Sequence, residues 1–160
     1  MSLDALSRQL WKQREILESM LFKLEEERLI VATGSSRFLP RATKELEAAV
    51  AKAQGLELER AVEAEAVAVE LGLAPHASLK EIAAATEEPW QTLLTQHREA
   101  LVQLTSEIAQ TTQANQETLN SLQRAVQETL LGVPGLGETY GADGTVKNVE
   151  GQASFIDQAL

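Results

Sequence analysis

The sequence predicts an all-α protein, an elongated antiparallel bundle of three long helices plus one short helix, followed by a flexible C-terminal tail. Three observations carry that prediction. Aromatic residues make up 4% of a chain dominated by Leu, Ala, Glu and Gln, a composition suited to long helices that meet in leucine-rich seams. Apolar residues recur at spacings of three and four, the period of one helix face. Glycine and proline gather mainly near residues 33–40, 72–75 and 132–151, so the runs between the stops are long. The boundaries divide the chain into a helical bundle domain at 1–131 and a tail at 132–160.

The first run places Leu3, Leu6, Leu10, Leu17, Met20, Leu24 and Val31 on one face, with Ser2 or Asp4 available to cap its start. The segment TGSS at Thr33–Ser36 ends it, and a second helix begins near Pro40, where proline fits the first turn. That helix carries Leu46, Val50 and Ala53, then Leu58, Val62, Ala66, Val69 and Leu73, with Gly55 as a soft point between the two stripes. The substring RAVEAEAVAVELGL also alternates in part like a strand, but alanine and glutamate are poor strand formers and no partner strand is visible. Gly72 and Pro75 stop the helix. Ser78 followed by Glu81 forms a capping box for the short helix LKEIAAATEE, and Pro89 opens a last helix running to about Leu131. Short turns between long helices imply antiparallel neighbours.

On the last helix Leu101, Leu104, Ile108, Thr111, Asn115, Thr118 and Leu122 alternate by three and four, which makes three neighbouring members of one stripe polar. The stripe faces water there, or Thr111, Asn115 and Thr118 are seam residues that fix register, since a slipped pairing strands an amide or hydroxyl. In the second case Asn115 bonds across the bundle, and Asn115→Leu is expected to keep or raise thermal stability while loosening register.

Charge and residue types narrow the function. Twenty-four acids against 14 Lys and Arg give a net charge of -10, which repels phosphate backbones and anionic lipid surfaces, so no nucleic-acid or membrane partner is expected. Cysteine is absent, which removes disulfides and thiolate ligands. The opening MSLDALSRQLWKQREIL carries charge in every turn, unlike a signal peptide or a membrane span, and a cytoplasmic location is the expectation. A catalytic site needs converging groups. His97 falls beside the seam as a packing residue, and His76 follows Pro75 in a turn. The acids Glu25, Glu26 and Glu27, and Glu57, Glu59, Glu63 and Glu65, read as solvated helix faces that radiate instead of converging on a metal. GVPGLGETYGADG follows a helix and lacks the Lys-Ser/Thr of a phosphate loop. Neither an enzyme nor a cofactor is expected.

The tail differs from a plain solvating extension. It holds four acids and one lysine yet keeps Val133, Leu136, Tyr140, Val146, Val149, Phe155, Ile156 and Leu160. That is too little apolar content to fold alone and enough to dock, the character of a segment that orders on a partner. A linker or a flap on its own bundle is the alternative. The stripe Leu119, Leu122, Val126 and Leu130, with Leu131 just beyond, offers a surface on which a client helix can lie, and Val133, Leu136 and Tyr140 extend it.

The order of features resembles a known family: LELER in the second helix, then ELGL, a capped SLKEIA helix, a helix opening near PW, an asparagine midway along it, and TYGADG after it. It resembles the FlgN family of flagellar type III export chaperones across roughly residues 17–146. The resemblance implies a helical, cytoplasmic, non-enzymatic protein that binds the hook-filament junction (hook-associated) proteins FlgK and FlgL through its C-terminal part, keeps them export-competent and delivers them to the flagellar export apparatus. By position, Glu59 and Arg60 match the family's acid and arginine, Asn115 its first NxxN asparagine, and Tyr140, Gly141 and Gly144 its YGxxG. Thr118 stands where the second asparagine is expected, so a role needing two amides is not carried over. A structural coiled-coil scaffold or self-assembling helical bundle, with a possible homodimer, is the competing class.

Overall fold

A computed structural model of the chain describes residues 2–131. Four α-helices follow one another, α1 (Ser2–Ala32), α2 (Leu39–Glu70), α3 (Leu79–Ala85) and α4 (Trp90–Leu131), with a 3-10 turn at Ser36–Phe38 between the first two. Three are long and one is short, and the described residues contain no strand, so the stretch RAVEAEAVAVELGL is helical.

Helix α1 is the spine. It packs closely along both α2 and α4, whereas α2 and α4 have no comparably close backbone approach. Pairs from Ser2–Glu70 through Gln13–Glu57 and Lys23–Glu45 to Glu27–Thr43 run in opposite senses, which makes α2 antiparallel to α1. Pairs with α4 rise together, Ser7 with His97 and Glu27 with Asn115, so α4 runs parallel to α1. The up-down-up order leaves the segment between α2 and α4 to close one end of the bundle. There Leu79, Ile82 and Ala83 of α3 are buried, and α3 packs mainly on α4. The core is narrow, with Leu6, Leu10, Leu17, Met20 and Leu24 of α1 set against Leu46, Val50 and Val67 of α2 and Leu94, Leu101 and Ile108 of α4.

The ends of the helices follow from local chemistry. Gly34 and Gly72 have φ of 69° and 72°, the left-handed region that a side chain disfavours. Both close a pair of bonds of the Schellman type: Ser35 N–H to Ile30 O and Gly34 N–H to Val31 O, then Leu73 N–H to Ala68 O and Gly72 N–H to Val69 O. At α3 the Ser78 hydroxyl accepts from the Glu81 backbone N–H while the Glu81 carboxylate accepts from the Ser78 N–H, the complete capping box.

One expectation is corrected. Beyond Gly55 the residues Leu58, Val62 and Val69 do not turn inward; they are 68%, 67% and 61% exposed. The helix is continuous through Gly55, so the face that buries Leu46, Val50 and Ala53 keeps its phase and continues as Glu57, Arg60, Ala64, Val67 and Ala68. Continuity of the backbone outweighs the attraction of the leucine. In the same way α4 buries Leu94, His97, Leu101, Thr105, Ile108, Thr112 and Asn115, one step around from the predicted stripe, leaving Leu104 and Thr111 half-buried.

The glycines give a test with opposite signs. Gly55 is helical and a Cβ there meets open space, so Gly55→Ala is expected to stabilise the isolated chain by about 0.5–1 kcal/mol. Gly72→Ala is expected to destabilise it by about 1 kcal/mol, because only the backbone conformation differs. Urea denaturation of the two variants against the parent checks both.

Candidate protein interface

Three buried polar stations lie along α1 and hold α2 and α4 in register. Nearest the N-terminus, the Ser7 hydroxyl lies 3.4 Å from His97 Nε2, and the His97 ring meets Trp11 edge-on at 4.8 Å between centroids. The Arg14 guanidinium stacks over the other ring of this group, 4.4 Å from the Trp11 centroid. His97 is fully buried on the α4 seam, not beside it as expected, and burial followed by the Arg14 charge pushes its pKa down to about 4. It sits there as a neutral packing group. His76 is exposed.

The middle station is an ion pair. Arg60 donates from both Nε and Nη2 to the two oxygens of Glu57, one helical turn before it, and Gln13 of α1 donates to the same carboxylate. All three residues are at most 3% exposed. Glu57 is therefore not part of a solvated face, while Glu59 is exposed and makes no part of this pair. A buried charge is tolerated only with a counter-charge and hydrogen bonds, and this one has both.

The third station joins three helices. Glu27 of α1, 1% exposed, accepts from the Thr43 hydroxyl of α2 at 3.2 Å and from Asn115 Nδ2 of α4 at 3.3 Å. Asn115 Nδ2 also reaches the Leu24 carbonyl at 2.9 Å. Burial pushes the Glu27 carboxyl above its ordinary range, and the Thr43 and Asn115 bonds act against that rise. Glu27 is thus a second acid that a solvated reading missed; its neighbours Glu25 and Glu26 stay half-exposed. Of the three seam candidates, Asn115 crosses the bundle, Thr111 is half-buried, and Thr118 is exposed with its hydroxyl turned back to the Ala114 carbonyl at 2.9 Å. Thr112, which no sequence argument singled out, is buried in their place.

Asn115 is also where the core stops. Pairs between α1 and α4 are 88 to 91 residues apart in sequence, so Ala32 at the end of α1 is level with about Leu122 on α4. The face that carries Leu101, Ile108 and Asn115 continues as Leu119, Leu122, Val126 and Leu130 along the same line of the helix. Past Asn115 no α4 residue is fully buried: Leu119 and Leu130 are half-buried, and Leu122, Val126 and Leu131 are 43%, 39% and 79% exposed. The seam outlasts its partner. Val133, Leu136, Tyr140, Gly141 and Gly144 lie outside the described residues.

A protein-family model described as FlgN protein matches residues 1–148. The chain belongs to the FlgN family. No curated protein and no solved structure matches it. FlgN is a family of flagellar export chaperones and not of enzymes, and its match extends through both the bundle and the protruding end of α4. Among the described residues no helix is long and apolar enough to cross a membrane, and no group of three or more His, Asp or Glu is placed to hold a metal ion.

Two tests follow from the Glu27 station. Asn115→Leu deprives a buried carboxylate of a donor, so it is expected to destabilise by about 1–3 kcal/mol, the reverse of what the residue's position on a seam suggests; Glu27→Leu in the same chain recovers most of that loss. A double-mutant cycle by urea denaturation measures the coupling. The pH dependence has a definite sign. A carboxyl whose folded pKa lies above its unfolded one binds protons more tightly when folded, so its contribution to stability falls as pH rises through the interval between them. His97 acts oppositely: the unfolded imidazole takes its proton near 6.5 and the folded one only near 4, so stability falls as pH drops across that span. Glu27→Gln is expected to lose the gain on acidification, so its stability relative to the parent falls as pH is lowered. Imidazole NMR resonances of the folded parent are expected to show His97 neutral until pH approaches about 4.

Proposed function

We propose that this chain is a cytoplasmic export chaperone that binds the hook-associated proteins FlgK and FlgL and keeps them competent for delivery to the flagellar export apparatus. The observation that carries the proposal is the continuation of the α4 seam beyond Asn115. A helix face that buries Leu101 and Ile108 against α1 goes on through Leu119 and Leu122, at the end of α1, to Val126 and Leu130, where α1 no longer accompanies it. Such a face suits an amphipathic helix from a client, laid where α1 would have continued. Residues 132–160 form the second part of this site, with Leu131, Val133, Leu136 and Tyr140 supplying apolar contact area, and residues 1–131 are the bundle that carries it. A segment that orders on binding spends part of the interaction free energy on that ordering, which keeps release possible at the export apparatus.

Co-purification with FlgK and FlgL tests this. Leu122→Asp with Val126→Asp is expected to leave the bundle folded, with a stability change within about 0.5 kcal/mol, because both side chains are exposed, and to weaken client capture at least about tenfold. Truncation after Leu131 is expected to keep the helical signal and lose most capture. Equal capture by the parent and both altered forms rejects the assignment of the site.

A further inference from the structure

The two halves of α2 differ in what they show to solvent. Residues 41–53 mix both signs of charge, with Arg41, Lys44 and Lys52 beside Glu45 and Glu47, and their exposed apolar residues are only Ala48 and Ala51. Residues 54–70 instead line up Gly55, Leu58, Val62, Ala66 and Val69, all exposed, at spacings of three and four over about 21 Å of helix. Charge in this half is one-sided. Its single base, Arg60, is buried against Glu57, while Glu59, Glu63 and Glu70 fall along one border of the apolar line and Glu65 along the other, at about 100° of turn per residue. Glu70 accepts from the Ser2 hydroxyl, and among the described residues no ion pair holds Glu59, Glu63 or Glu65. Of the bases that α1 brings to this level, Arg8 is paired with Asp4, which leaves Lys12 against four carboxylates.

Exposed Leu and Val between two acidic borders match one kind of ligand, a helix whose apolar stripe covers the line while lysine or arginine at its edges reaches the carboxylates. The same borders repel nucleic acid and anionic lipid, and residues 132–160, with four acids and one lysine, are repelled as well. We propose that the C-terminal half of α2 is a second docking surface, which takes a basic amphipathic helix of another protein. Its place in the bundle keeps it clear of the end of α4. Leu58 is level with about Gln13 on α1, and Leu122 with about Ala32, so about 30 Å of bundle separates the two surfaces and both can be filled at once. The inference does not rest on the client assignment.

The probe is a synthetic helical peptide of about 18 residues with leucine on one stripe and lysine along both borders, set against a twin with glutamate in place of lysine. Fluorescence anisotropy with the full-length protein at about 0.15 M salt is expected to show the lysine peptide bound at least about tenfold more tightly than its twin. A cationic peptide is drawn to any acidic protein, so local variants carry the decision. Glu59→Gln with Glu65→Gln is expected to weaken binding about tenfold, whereas Glu15→Gln with Glu18→Gln, exposed acids of α1 and the same change in net charge, alters it less than about twofold. Val62→Ser, which changes no charge, is expected to weaken it at least about fivefold. Leu122→Asp with Val126→Asp is expected to leave it unchanged, which separates this surface from the client site. Equal losses from the two glutamine pairs overturn the proposal, as does full binding by Val62→Ser or equal binding of the two peptides. Peptide binding that falls in step with self-association as the protein is concentrated gives the face to a second copy instead. Release of the peptide by FlgK or FlgL, from the parent and from Leu122→Asp with Val126→Asp alike, gives it to a client.

Discussion

A single buried carboxylate ties three helices together. Glu27 takes a hydrogen bond from α2 through Thr43 and another from α4 through Asn115, and no helix can shift by a residue without leaving that charge short of a donor. A leucine at the same place would tolerate slippage, because neighbouring apolar residues on a helix are nearly interchangeable partners. The narrow core makes such slippage a real competitor, since its leucines repeat with similar spacing along every seam. The Gln13–Glu57–Arg60 group adds a polar tie between α1 and α2 halfway along α1, and Ser7 with His97 adds one between α1 and α4 near the N-terminus.

The three stations differ in what they give up. Glu57 with Arg60 is internally neutral, so its cost is desolvation offset by three charge-assisted bonds. His97 avoids charge altogether by remaining unprotonated. Only Glu27 holds a charge without a cation beside it, which is why burial shifts it toward its neutral form. The station nearest the protruding part of α4 is consequently the one most sensitive to its surroundings.

Most of the architecture was readable from spacing and stop signals. Gly34 and Gly72 end helices because their positive φ closes the last turn, and the Ser78–Glu81 box starts α3, each a local rule that tertiary context did not override. The family's fold and the Asn115 position were also legible. What the sequence hid was the phase of α2 past Gly55 and the fate of two glutamates. Reading by apolarity follows Leu58 and Val62 inward, yet a continuous helix keeps one face toward α1, and that face carries Glu57 and Arg60. The spacing of Glu57 and Arg60, three apart and in step with Ala53 and Ala64, was the available signal. Glu27 offered less, because its partners lie 16 and 88 residues away and nothing local marks it among three consecutive acids.

The offset between α1 and α4 has a mechanical side. From the level of Leu122, α4 projects about 14 Å farther without α1 alongside, as a cantilever fixed at its base. A sideways pull on the free end bends the helix against its supported stretch, whose last fully buried contact is the one Asn115 makes with Leu24 and Glu27. A pull along the axis of α4 loads the helix in tension instead and turns the same contact to shear. The direction of a load on the free end therefore decides whether that contact is pried open or sheared.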